Sequence, residues 1–508
     1  MQNLTNLEVL RFSYINISST FLTLDGCRLY ERFPTRIFQL PHLQELDVSY
    51  NEDLTGHLPE FHTNSPLEAI PNSFSNLTHL TGLDLSQNSF NDLSWLTRPS
   101  SNYFLPQFEY LGLAHLNLTK FPDILRNQSK LEWLYLEGNN LQGLIPKWMY
   151  NPNLEYLYLD NNKMHGSLRI TPPSIMYYSV RNNSFTGRIS PFICNMSSPV
   201  VLDLSYNYLS STIHPCLGNL NQTYLSVLVL RRNNFGGTIP KTWAKGCLLR
   251  MLDLSENQLQ GHLPRSLANC TQLEYLHVGH NQINDTYPFW LGTLQQLKIL
   301  VFHSNGFHCA IWTIKGVELE YKKIHDDLKV IDFSCNRFEG QIPKQVGNLK
   351  GLHVLNLSNN ALTGRIPSSF GNLTQLESLD LSRNKLFGEI PPELVQLNFL
   401  SMYNVSHNGL TGPIPQGQQF GTFQNTSFED NQGLCGRPLS KICGDFNNQG
   451  ARFVFEFGWK VVVMGYRCEF VFGVVIGHIV TTRKQDWVIK IFGKKQRQTR
   501  ICRVNRRK

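Results

Sequence analysis

Residues 352–391 read LHVLNLSNNALTGRIPSSFGNLTQLESLDLSRNKLFGEIP, and the later part repeats the earlier part at an offset of 24 residues. The same interval separates Asn336, Asn360, Asn384 and Asn408, and also Asn233, Asn257, Asn281 and Asn305. Asn51, Asn88, Asn139, Asn162, Asn183 and Asn207 hold the same position at looser spacing. Each unit has the pattern LxxLxLxxN, a variable stretch and often LxGxIP. The alternation in LHVLNL predicts a short strand with Leu355 and Leu357 turned inward and His353, Val354 and Asn356 outward. An Asn at the following turn can bond backbone groups that would otherwise be buried without partners, and stacked units continue this as a ladder. Gly364 permits a bend and Pro367 ends pairing. The expected fold is an α/β-type repeat solenoid, right-handed and curved, running from about residue 7 to 415. Its short parallel strands line the concave face, and regular helix is sparse outside a terminal segment.

The motifs LTGRIP (362–367), LFGEIP (386–391), LTGPIP (410–415) and FGGTIP (235–240) resemble the plant-specific class of leucine-rich repeat. About seventeen units lie between Leu7 and Pro415, some degraded. Cys27 occupies a ladder position as a tolerated variant, whereas Leu116 occupies one with no side chain able to bond there.

The formal charge of the 508 residues is +8, but residues 483–508 alone carry eleven Lys and Arg against one Asp. Everything before them is therefore near −2, which argues against a nucleic-acid binder. The eleven cysteines are an odd number, so not all pair within the chain. Cys435 and Cys443, in GLCGRPLSKIC, look like the disulfide of a C-terminal cap. Cys194 with Cys216, and Cys247 with Cys270, lie one repeat apart and could join neighbouring convex loops; the alternative is buried thiols. Fourteen Asn-x-Ser/Thr sequons include Asn76, Asn117, Asn127, Asn195, Asn221, Asn269, Asn372 and Asn425 as glycosylation candidates. Others, such as Asn356, are by-products of the repeat.

The opening MQNLTNLEVLRFSYINISST is already repeat sequence, without a basic start or a continuous apolar run. With neither a signal peptide nor an N-terminal cap, the chain is expected to be N-terminally incomplete. Near the other end, twelve of residues 461–480 are Val, Ile, Phe or Met, and the window is long enough to span a bilayer. Arg467 and Glu469 inside it each cost about 2.5–3.5 kcal/mol on insertion scales. The segment still reads as a membrane span rather than a buried helix or disordered tail, with the basic tail cytoplasmic. Gly473 and Gly477 form GxxxG, a helix-pairing pattern.

The order of parts resembles the plant leucine-rich-repeat receptor-like proteins, the kinase-lacking class that includes disease-resistance receptors. The most specific piece is NVSHNGLTGPIPQGQQFGTFQNTSFEDNQGLCGRPLSKIC (404–443), followed by GVVIGHIVTTRK. TIKGVELEYKKIHDDLKVIDFSCNRFEGQIP is similar to the end of the family's island and the repeat after it. The resemblance implies repeats at 1–306, a shortened island at 307–327, repeats at 328–415 and a cap at 416–444. A juxtamembrane stretch at 445–458, a transmembrane helix at 459–482 and a basic cytoplasmic tail at 483–508 would follow. It also implies a single-pass plasma-membrane receptor with extracellular repeats, signalling in defence or development. Its expected partners are an extracellular peptide or pathogen protein, a receptor kinase and a co-receptor kinase, with residues 328–415 and GxxxG facing the kinases. The family's acidic stretch before the membrane is replaced here by FNNQGARFVFEFGWK, and together with the missing signal peptide and cap, the shortened island and the charges of Arg467 and Glu469 this raises the alternative of a degenerate, non-signalling copy. A further alternative is a secreted repeat protein that inhibits an extracellular enzyme.

No Walker loop, GxGxxG unit, HExxH or CxxC pair is present, so no enzyme chemistry, metal site or cofactor is expected. His277, His280 and His303 fall close together on adjacent repeats, and are read as exposed strand residues. The candidate ligand face is aromatic: Trp133 and Tyr135, Tyr156 and Tyr158, and Tyr177 occupy outward positions on three consecutive repeats. Glu132, Glu137, Glu155 and Asp160 flank them. Aromatic anchors with a polar rim suit peptide or protein recognition, although Tyr and Trp also simply favour strands.

Overall fold

A computed structural model describes residues 21–32, 43–55, 79–90, 106–149, 151–168, 172–218, 224–310 and 329–443. Among these residues the LxL segments form one 16-stranded parallel sheet, from Phe21–Thr23 to Met402–Asn404, with the strands in chain order. Successive repeats pair in register, so Leu355 stands opposite Ile331 and Leu379. The inward leucines are sealed: Leu134, Leu252, Leu276 and Leu379 are all fully buried. This parallel-strand leucine-rich-repeat solenoid has no helix among the described residues except short 3₁₀ turns such as Ser368–Asn372.

The asparagines form the expected ladder. Asn384 Nδ2 donates to Leu357 O, Leu381 O and Ser382 O at 3.0–3.1 Å, and its Oδ1 accepts Leu362 N–H at 3.0 Å. Each rung thus bonds two repeats and leaves no polar backbone group stranded at the turn. The break at Leu116 is absorbed by the next rung, where Asn139 Oδ1 accepts both Leu116 N–H and Leu118 N–H, at 2.9 and 3.0 Å. Asn51 Oδ1 likewise accepts Leu29 N–H, two residues past Cys27.

Two features go beyond the sequence reading. Among the described residues the segment after most ladder asparagines is itself a strand, giving a seven-stranded parallel sheet between Gln142–Gly143 and Gln282–Ile283. A six-stranded one runs from His308–Ala310 to Gly433–Cys435. Gly364 ends one of these strands at φ +83°, the bend expected of it. The ladder also extends one rung further, because Asn431 bonds Val405 O, Phe428 O and Leu410 N–H. Tyr403, Phe420, Phe423 and Phe428 then close the end of the core.

Cys194 is joined to Cys216, Cys247 to Cys270 and Cys435 to Cys443. The first two bonds staple neighbouring repeats. Among the sequons, Asn117, Asn127, Asn195, Asn372 and Asn425 are exposed. Asn269 is half-buried and its amide donates to Trp243 O at 2.8 Å. Asn76, Asn221, Gly473, Gly477, the 459–482 segment and the basic tail lie outside the described residues. Among the described residues no helix is long and apolar enough to cross a membrane.

Candidate ligand-binding face

The outer face of the long sheet carries a repeated local device. In LDLS units the Ser N–H and O–H both donate to the Asp Oδ1 two residues earlier. Asp203 serves Ser205, Asp253 serves Ser255, Asp332 serves Ser334 and Asp380 serves Ser382, at 2.5–3.1 Å. These carboxylates hold their own turn. Departures from LDLS are therefore where outward side chains take on other tasks. They include two blocks: Tyr135/Glu137 and Tyr158/Asp160, then Ser179/Arg181, Val229/Arg231, His277/Gly279 and Val301/His303.

In the first block the structure brings the aromatic residues together. Trp133 and Tyr156 stack at 3.4 Å between ring centroids, Tyr135 and Tyr158 at 4.5 Å, and Tyr158 and Tyr177 at 4.4 Å. The strand register places Tyr177 beside Tyr156, yet its ring lies against Tyr158. Ser179, the residue opposite Tyr158, is small enough to let the ring cross. Tyr110 does the same at the other end. Paired with Trp133 in register, it contacts Tyr135 at 5.4 Å over Gly112. The result is a row of four tyrosines with a Trp–Tyr pair beside it. Tyr110 was not among the sequence candidates; its signal was the small residue, Gly112, two positions later.

The acidic flank divides into free and engaged groups. Glu132 is exposed, and Glu155 is half-buried with its carboxyl raised by burial and then by Glu132. Asp160 Oδ1 accepts the Ser179 hydroxyl and Arg181 N–H, so it replaces, from the preceding repeat, the Asp that Ser179–Arg181 lacks. Burial, with Asp203 second, raises Asp160 to about 7. Glu137 is also raised to about 7 by burial, and its Oε2 is buried with no hydrogen-bond partner. Burial likewise pushes the phenols of Tyr110, Tyr135, Tyr158 and Tyr177 up, so they remain neutral donors.

The second block is basic. Arg181, Arg231 and Arg232 place their guanidinium carbons 5.1–5.7 Å from the Tyr206 ring. Arg231 pairs with Glu256, and Glu274 pairs with Arg250 and Lys298. Beyond them His277, His280 and His303 come together. Recognition by stacking, cation–π contact and charge is what this face can offer.

Leucine-rich-repeat family models match residues 39–56, 130–151, 198–220, 223–283 and 326–386. Receptor-like protein 33 of Arabidopsis thaliana is 38% identical over 88% of this chain and 59% of its own length. Receptor like protein 27 of the same plant is 35% identical over 91% of this chain and 67% of its own length. The chain spans between half and three fifths of the first relatives it matches. Among solved structures, the Arabidopsis receptor kinase HAESA ectodomain, in complex with an N-terminally extended IDA peptide hormone, superposes with a TM-score of 0.64. It is 28% identical, and the match covers 81% of this chain and 69% of that one. HAESA bound to the peptide hormone IDA and the co-receptor SERK1 gives 0.63 at 27% identity, covering 82% and 69%.

Proposed function

The chain belongs to the plant leucine-rich-repeat receptor-like proteins, and from that premise we propose that it is a non-catalytic receptor ectodomain for an extracellular peptide or protein. The observation that carries this reading is the ring row, Tyr110–Tyr135–Tyr158–Tyr177 beside Trp133–Tyr156, laid across four consecutive strands of the sheet. Half-buried rings lose little conformational freedom on binding and present wide apolar faces, the property of hot-spot residues. Glu132 and Glu155 border the rings, so the ligand is expected to bring apolar side chains with a basic group among them. Signalling would pass to a partner receptor kinase and a co-receptor kinase. The span at 459–482, with Gly473 and Gly477, would anchor the chain in the plasma membrane.

The test is a paired-variant binding assay. The full chain, displayed behind a secretion leader on plant cells, is screened against synthetic extracellular peptides, and a hit is titrated on Trp133→Ala/Tyr156→Ala. Loss of both stacked rings should weaken binding by about 30-fold or more, because hot-spot truncations cost about 2 kcal/mol or more. Unchanged affinity in a normally folded variant would remove this face from the reading.

A further inference from the structure

We propose that His277 and His303 form a binding site for a divalent transition-metal cation, zinc foremost, clamped between two adjacent repeats. Their Nε2 atoms face each other at 3.4 Å, with the rings nearly parallel at 26°. Two imidazole nitrogens held about 2.0–2.1 Å from one tetrahedral ion stand roughly 3.3 Å apart, so this spacing is that of a chelate.

The surroundings suit one tautomer of His277. His277 Nδ1 lies 3.2 Å from the Tyr275 hydroxyl and 3.6 Å from Asp253 Oδ1. Asp253 is buried. With the proton on Nδ1 and directed at these oxygens, His277 presents Nε2 as an acceptor, the carboxylate–histidine arrangement that supports metal ligands. Arg231 opposes a cation least where it is already paired, and Glu256 pairs it. Two neutral lone pairs facing at this distance repel unless a positive ion or a proton lies between them. His280 sets a third imidazole edge-on against His303, ring centroids 4.3 Å apart.

An independent sign lies in Gly279. At the same position, two residues past the end of the strand, other repeats carry Ser205, Ser255, Ser334, Ser358 and Ser382. A Cβ on Gly279 would fall 2.6 Å from His303 Nε2 and 2.9 Å from His277 Nε2. Its φ is not in the left-handed region, so conformation does not demand glycine there. Space does: only the absence of a side chain lets His303 lean back over the preceding repeat to reach His277.

Zinc alone, titrated calorimetrically into the chelator-treated full chain, should fill one site and raise the melting temperature. His303→Gln should weaken that site by at least tenfold. Asp253→Asn should weaken it about tenfold, while still accepting the Ser255 bonds as Asn356 accepts those of Ser358. Gly279→Ser, which restores the residue of the other repeats and keeps both imidazoles, should weaken it as much as His303→Gln. His353→Gln, which alters a separate His–Glu pair, should leave it intact. Melting temperatures in chelator, matched to the unaltered chain, separate loss of the site from loss of the fold. Zinc binding of unchanged affinity in His303→Gln and Gly279→Ser would overturn the proposal. So would a well-folded chain that binds no zinc, which would leave a shared proton between the two rings.

Discussion

Replacing Asn139 with alanine is expected to destabilise the array by about 4 kcal/mol, and replacing Asn384 by about 3 kcal/mol, since each buried polar group left unpartnered costs about 1–3 kcal/mol. Both residues donate through Nδ2 to carbonyls of two repeats; for Asn139 these are Leu113 O at 2.8 Å and Leu136 O at 3.0 Å. The difference lies at Oδ1. Asn384 accepts one N–H, that of Leu362, whereas Asn139 accepts two because Leu116 leaves its own rung empty. Alanine at 139 therefore strands an extra buried donor. Because each repeat contacts mainly its neighbours, the damage is local as well as global. The Leu116 and Leu118 amides should lose hydrogen-exchange protection before the rest of the sheet, and the urea midpoint should fall further for Asn139→Ala. Protected amides at both positions would show that something other than the ladder satisfies them.

The fold was legible because its signal is one-dimensional: the spacing of Leu and Asn alone puts leucines inward and a bonding side chain at each turn. The second sheets were not read, because NxLxG stretches such as Ala361–Gly364 are too short and too polar to look like strands. They pair only because the ladder has already set the neighbouring repeats in register. Asn431 was legible in principle, 23 residues after Asn408, but no LxGxIP follows to mark it. At the candidate face Trp133, Tyr135, Tyr156 and Tyr158 flank a buried central Leu on their strands, a placement the LxL alternation makes readable. It did not show that Tyr110 and Tyr177 cross to a different column, since that depends on the vacancy over Gly112 and Ser179. Nor did it separate exposed Glu132 from Asp160, which bonds Ser179 and Arg181 of the next repeat. The sequence makes the three histidines exposed strand residues, whereas His277 is buried, because the space opened by Gly279 has no signature in composition.

The Glu137→Gln variant should be more stable than the unaltered chain at pH 8, and the margin should shrink by about 3 kcal/mol on going to pH 4. Burial, then Asp160 and Asp84, hold the Glu137 carboxyl near 7 against an ordinary value of 4.5. A carboxyl raised on folding binds its proton more tightly in the native state. Its ionisation therefore costs nothing below about 4.5, costs increasingly as pH rises from there to about 7, and levels off above; at 1.36 kcal/mol per pKa unit the full cost is about 3 kcal/mol. His303 acts in the opposite sense, because its depressed value removes stability as pH falls below 6.5. That contribution is common to both proteins and cancels in their difference, which is why the comparison and not the raw profile is the measurement. A difference that stays flat from pH 4 to pH 8 would mean that Glu137 titrates as an exposed acid. The same group links stability to recognition. A basic ligand side chain settling on the Tyr135–Tyr158 stack would favour the ionised Glu137 beside it, so binding should release a proton and strengthen as pH rises from 5 to 8. In Glu137→Gln that pH dependence should be reduced, while the contribution of the rings remains.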